Sequence, residues 1–212
     1  MPKPQTYDAV SGVAEAEINA KGSRFIGIVA PCPSVESLKA ILADVMERYP
    51  GATHYCYGAV IGPDMDQKSS DNGEPSGTAG RPITDVIRGE GLSDTACVVV
   101  RYFGGTLLGT GGLVRAYSGT ARDTVVKAPR ETLVLCDVFD VSVAYDELNV
   151  LEHACGDLFF SCEREFTERV RLKVAVRQNS SEEFEARAVR AVYKAKVQRS
   201  GQGYFKEQNR RS

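Results

Sequence analysis

The sequence predicts an α+β protein of two domains: an N-terminal α/β domain over residues 1–130 and a C-terminal ferredoxin-like βαββαβ domain over 131–212. Three observations predict it. Ala96 to Phe103, with Val98-Val99-Val100 at its centre, is a continuous apolar run of the kind a strand buried on both faces requires, and it feeds a glycine-dense turn and then a helix. Ala128-Pro129-Arg130 interrupts that pattern and reads as a hinge. Beyond it, strand and helix patterns follow in the order β-α-β-β-α-β within about 75 residues, the split motif of ferredoxin-like folds.

Each element of the first domain has a local reason. Ile18 to Ala30, containing Arg-Phe-Ile-Gly-Ile-Val, reads as a strand. Ser34 is an N-cap for a helix whose apolar residues Leu38, Ile41, Leu42, Val45 and Met46 recur at helical spacing. Tyr49-Pro50-Gly51 stops it, and Ala52 to Ile61 alternates as a second strand. Gly62 to Arg81 is rich in Gly, Pro, Ser and Asp and is expected to be loop. Pro82 to Gly89 is a short helix, and a longer one is expected from about Gly112 to Lys127.

In the second domain Phe139, Val141 and Val143 alternate as a strand, and Leu148, Leu151, Cys155 and Leu158 share a helix face. Cys162 to Phe166 is a short strand. Val170, Leu172, Val174 and Val176 alternate with Arg171, Lys173 and Arg177. Ser180-Ser181-Glu182-Glu183 carries N-cap chemistry and first-turn acids for a helix reaching about Lys196. A last strand covers Val197 to Phe205.

Composition limits the class. With 42% hydrophobic and 25% charged residues and a net charge of −2, the chain has an ordinary globular balance. No apolar run reaches the ~18 residues of a membrane helix, and no signal-peptide core follows Met1. The six cysteines stand singly without a Cys-x-x-Cys pair, the pattern of reduced thiols, so a cytoplasmic location is expected. No membrane partner is expected. Charge is uneven: residues 131–186 carry 5 basic and 13 acidic side chains, whereas 187–212 carry 8 basic and 1 acidic.

Two passages concentrate chemistry. The first is Arg101-Tyr-Phe-Gly-Gly-Thr-Leu-Leu-Gly-Thr-Gly-Gly-Leu-Val-Arg-Ala-Tyr117. Gly104 and Gly109 have phosphate-loop spacing, but Thr110 and Gly111 stand where that loop needs Lys and Ser or Thr, and the dinucleotide fingerprint fails at its third glycine. What remains is a helix N-terminus with free amides at Gly111 and Gly112, capped by Thr110, with Gly104, Gly105, Arg101 and Arg115 around it: a generic anion site. The second passage is Ser70-Asp-Asn-Gly-Glu-Pro-Ser-Gly-Thr-Ala-Gly-Arg-Pro82. Asp71 and Glu74 have the chemistry of an acid–base pair or of cation ligands, although Asn72-Gly73 and Glu74-Pro75 are equally turn formers. Gly77, Thr78 and Gly80 beside Arg81 have the makings of an amide nest for an anion.

His54 and Cys56 lie two apart on one strand face. With only two histidines in the chain no zinc site is expected, and the roughly 7 Å between i and i+2 backbones makes direct thiol activation awkward. His54 reads as a pocket wall. No metal and no cofactor are expected. In the second domain, Arg171, Lys173 and Arg177 point from one strand face, and Arg187, Arg190 and Lys194 form one helical stripe. These are candidates for backbone-type contact with nucleic acid rather than base stacking or DNA sequence reading.

The two long motifs, with Lys21-Gly-Ser-Arg-Phe-Ile26 and Ala52-Thr-His-Tyr-Cys-Tyr-Gly-Ala59, resemble the YigZ/Impact family over residues ~15 to 127. Asn72 departs from the aspartate usual in that family. The resemblance implies an N-terminal domain similar to the second domain of a small-subunit ribosomal protein. It also implies a C-terminal domain similar to the ferredoxin-like modules of elongation factor G. The resemblance also implies a link to translational control, which eukaryotic members exert with an additional N-terminal domain that is not expected in this chain.

Together these readings lead to a translation-associated regulatory protein that binds RNA, the ribosome or a translation factor through basic and glycine-rich surfaces. Two alternatives stand beside it: an enzyme acting on a small phosphorylated substrate in the first domain, and a protein-binding regulator without nucleic acid.

Overall fold

The structure, a computed structural model, describes residues 3–192 and 195–207. It is a mixed α/β fold with two antiparallel sheets, and the chain divides into two compact units, Met1–Thr132 and Leu133–Ser212.

The first unit contains β1 (Thr6–Val10), β2 (Ala14–Ala20), β3 (Ser23–Pro31), α1 (Val35–Arg48), β4 (His54–Ile61), β5 (Asp66–Ser70), α2 (Gly80–Gly89), β6 (Thr95–Tyr102) and α3 (Thr110–Lys127). Its sheet has the order β2-β3-β6-β4-β5, antiparallel throughout. β6 is central and buried on both faces, the position its apolar run predicts. One face, with Phe25, Val29, Cys56, Val60, Cys97 and Val99, packs against α2 and α3. The other, with Ile26, Ile28, Val98 and Val100, packs against α1 through Val45. Along α3, Leu113, Ala116, Tyr117, Thr120, Ala121, Thr124 and Val125 form one buried stripe at helical spacing. The two threonines bury without loss because each hydroxyl donates to the carbonyl four residues back.

Three boundaries differ from the sequence reading. The single strand expected over Ile18 to Ala30 is the hairpin β2–β3, turning at Lys21 and Gly22 with φ of 46° and 81°. A tight hairpin turn needs positive φ at both central residues, and lysine gives no signal of it. β5 lies inside the stretch expected to be loop. It is a polar edge strand, Asp-Gln-Lys-Ser-Ser, and polar edges show no alternation. Thr110 is the first residue of α3 rather than its cap; the cap position is Gly109, at φ 72°.

The second unit contains β7 (Arg130–Val143, beginning in the last residues of the first unit), α4 (Leu148–Cys155), β8 (Phe159–Phe166), β9 (Val170–Arg177), α5 (Ser181–Ala191) and β10 (Lys196–Lys206). β10 pairs with β7, β7 with β9, and β9 with β8, all antiparallel, the ferredoxin-like order. α4 and α5 cover one face through Leu151, Cys155, Phe184 and Ala188. α5 ends at Ala191 rather than continuing to Lys196, and Lys194 lies outside the described residues.

Candidate functional site

The two glycine-rich passages meet around Glu74. Its Oε1 accepts from Arg101 Nη1 at 2.5 Å and from the Tyr117 hydroxyl at 2.7 Å, and it lies 3.8 Å from His54 Nε2. β4 and β6 bring His54 and Arg101 directly opposite one another in register. α3 supplies Tyr117 and the loop after β5 supplies Glu74. Arg101 also donates to Ser23 Oγ at 3.2 Å, and the Gly104 N–H shares that acceptor. The Arg101 guanidinium lies 5.3 Å from the Phe25 ring centroid and 5.4 Å from that of Phe103. Its Nε has no partner among the described residues.

His54 is fixed from its other side. Nδ1 lies 2.8 Å from the Asn72 carbonyl, which only accepts, so in the neutral ring Nδ1 carries the proton and Nε2 presents a lone pair toward Glu74. Asn72 adopts φ 43°, and its Oδ1 accepts from the Tyr55 N–H at 2.8 Å. Asparagine tolerates the left-handed region better than most residues, so Asn72 and Gly73 (φ 87°) make the turn that carries Glu74 inward. Burial pushes the Cys56 thiol up to about 12, and it donates to the Asp71 carbonyl, so it is no nucleophile.

Asp71 has a different role from the acid–base or metal role weighed above. Its carboxylate accepts from the N–H groups of Gly77, Ala79 and Gly80 at 2.8, 3.0 and 2.8 Å. The amide nest expected over Gly77 to Gly80 therefore holds the protein's own carboxylate. Thr78 is turned to the Pro75 carbonyl, and Arg81 sits exposed, 3.8 Å from Asp85. Burial raises the Asp71 carboxyl, but the three amides outweigh it and its pKa is lowered. Among the described residues no group of three or more His, Cys, Asp or Glu could hold a metal ion.

The N-terminus of α3 is built differently. No side chain caps it and no acidic residue stands in its first turn. The amides of Thr110, Gly111 and Gly112 thus face outward with the positive end of the helix dipole. The Arg115 side chain lies alongside: a Cβ added at Gly111 would sit 3.6 Å from its Nη1. Among the described residues Arg115 has no ion-pair partner. Gly104 packs its Cα against the Gly22 backbone, and Gly105, at φ 83°, faces open space.

The second unit places its predicted cations among carboxylates. Arg187 pairs with Asp157 and Glu183, Arg177 with Glu207, and Arg171 lies 4.0 Å from Glu165. Across β7 and β8, Lys173 stands opposite Asp140 and Glu163. The open sheet face is therefore charge-balanced, and cross-strand pairing was invisible to a count along one strand. Arg190 is exposed on α5. Ser23, Phe103 and Tyr117 were not singled out from sequence, and Asn72 only as a turn former and as a departure from the family's aspartate.

The Impact N-terminal domain model matches residues 21–125. An IMPACT family member of Haemophilus influenzae is 38% identical over 68% of this chain and 70% of its own length. IMPACT family member YigZ of Escherichia coli is 39% identical over 64% of this chain and 68% of its own. YvyE of Bacillus subtilis is 33% identical over 84% and 83%. A crystal structure of a hypothetical protein superposes with a TM-score of 0.68 at 29% identity, covering 93% of this chain and 98% of that one. A structure of the two-domain translational regulator Yih1 overlaps at a TM-score of 0.36, with 25% identity over 55% of this chain and 47% of that chain.

Proposed function

This chain belongs to the Impact family, and from that premise we propose that it is a translation-associated regulator whose first unit grips RNA by its phosphates. The observation that carries this reading is the start of α3, a helix N-terminus without a side-chain cap, with Arg115, which has no ion-pair partner among the described residues, placing its Nη1 beside Gly111. Among the described residues no acidic side chain pairs with either of these two positive features, whereas the N-terminus of α2 is closed by Asp71. From Tyr102 to Arg122 the sequence contains no Asp or Glu. A phosphate oxygen fits that environment as acceptor and counter-charge. The ion-paired arginines of the second unit are poorer candidates, because each must leave a carboxylate before it meets a phosphate.

Fluorescence anisotropy of labelled single-stranded RNA, titrated at several KCl concentrations, tests this. Binding is expected to weaken steeply with salt and to be lost in Arg115→Glu. Absence of binding at every salt concentration overturns it.

A second reading rests on one observation, His54 Nε2 lying 3.8 Å from Glu74 Oε1 with Nδ1 held at the Asn72 carbonyl. It is an enzyme that uses His54 as base on a small phosphorylated substrate. A turnover assay with p-nitrophenyl phosphate, with His54→Ala as control, decides it. Wild-type turnover no faster than the variant ends it.

A further inference from the structure

We propose that Phe103 is a stacking platform for an unpaired base of the RNA, beside the phosphate grip at α3. The inference rests on the RNA reading above and names the contact that reading lacks. Phe103 opens the glycine loop and is 45% exposed. It is the aromatic side chain of a ten-residue stretch, Phe103 to Gly112, in which five residues are glycine.

The ring is nonetheless held. Its backbone N–H donates to Thr53 Oγ1 at 3.1 Å, and the Arg101 guanidinium lies 5.4 Å from its centroid. Arg101 is 4% exposed and anchored by Glu74 and Ser23, with the Phe25 ring also within 5.3 Å. Its Nε finds no hydrogen-bond partner among the described residues, and the guanidinium lies within cation–π reach of both rings. A buried cation thus backs Phe103 and leaves its outer surface to solvent. A ring fixed before contact loses little entropy when a base stacks on it.

The surroundings select the occupant. Leu107 is 82% exposed and Val114 37%, and both lie in the same acid-free segment as the α3 amides and Arg115. Apolar surface next to unpaired donors matches a nucleotide, whose base is apolar on its faces and whose phosphate needs donors. A protein partner would use the apolar side chains and leave the amides idle. The expectation of contact without base stacking came from the sheet face of the second unit. The aromatic that changes it is in the first.

The chain has no tryptophan, so Phe103→Trp creates a single fluorescent reporter at the platform. Titration with a short oligouridylate is expected to quench it saturably, and the same strand annealed to its complement is expected not to. Phe103→Ala is expected to weaken anisotropy-measured binding by about 5- to 150-fold, the range that a stacked base of ~1–3 kcal/mol supplies. An unquenched Trp while RNA binds with Arg115-dependent salt sensitivity overturns the stacking contact and leaves the phosphate grip standing. Equal quenching by duplex also overturns it. No RNA binding by the wild type at any salt overturns both. Quenching by a protein partner in place of RNA assigns the surface to that partner and ends the proposal.

Discussion

Arg101 Nη1 and Glu74 Oε1 meet at 2.5 Å with their side chains only 5% and 3% exposed. The pair ties the end of β6 to the loop before α2, and Tyr117 ties the same oxygen to α3. Three segments far apart in sequence are thereby fixed around one carboxylate. Deleting one member leaves the other charged, buried and alone, the situation that costs most.

Glu74→Ala is therefore expected to destabilise the first unit by about 3–5 kcal/mol in urea unfolding. Glu74→Gln, which still accepts from Tyr117, is expected to lose less. Equal midpoints for wild type and Glu74→Ala would show that the pair contributes nothing.

Asp71 gives a pH signature. Its folded pKa is lowered by the amides of Gly77, Gly80 and Ala79 working against burial. A lowered folded pKa means stability that is fully present above the unfolded value of about 3.9 and is lost as pH falls through the folded one. Asp71→Ala is expected to cost about 1–2 kcal/mol at neutral pH, the scale of a lost helix cap. Its melting temperature should fall less steeply than wild type below about pH 4. Parallel curves down to pH 2 would refute the capping role.

What was legible in the sequence follows from range. β6 announces itself because both of its faces are apolar, and the stripe of α5 because Phe184 and Ala188 repeat at helical spacing. The β2–β3 turn was hidden because Lys21 takes a left-handed φ that a lysine does not signal. Asp71 was weighed as an acid–base partner of Glu74, beside a turn-forming reading, because the two stand three positions apart. Its carboxylate instead turns to amides six, eight and nine residues on, while Glu74 turns inward to residues 27 and 43 positions away. Lys173 looked like a free cation because Asp140 and Glu163 come from other strands. Local pattern carries elements; it does not carry which charges are already spent on each other.

Gly104 and Gly105 are adjacent and predict different outcomes. A Cβ on Gly104 would collide with the carbonyl of Gly22, backbone that cannot swing aside. Gly104→Ala is expected to dislodge the loop from the β2–β3 turn, lowering the melting temperature and RNA affinity together. A Cβ on Gly105 meets nothing within 4 Å, and only its φ of 83° opposes it. Gly105→Ala is expected to cost about 1–2 kcal/mol. A melting temperature for Gly104→Ala at or above that of Gly105→Ala contradicts the contact.

Charge at the α3 N-terminus separates binding from stability, since one substitution should move them in opposite directions. Thr110→Asp puts a carboxylate on the first helical residue, where the dipole favours it by about 0.3–1 kcal/mol. Thermal melting is therefore expected to rise slightly. The same carboxylate occupies the place assigned to phosphate and repels it, so RNA affinity is expected to fall. Arg115→Ala removes one phosphate contact and should make the slope of log K against log salt shallower by about 0.7, the value per contact on a single strand. Arg187→Ala is the control: its guanidinium is engaged by Asp157 and Glu183, so the slope is expected not to change. A misfolded variant cannot mimic this set, because Thr110→Asp must bind worse while melting higher. If Thr110→Asp binds RNA as the wild type does, the phosphate is not at α3. If Arg187→Ala carries the slope change, the contact belongs to the second unit.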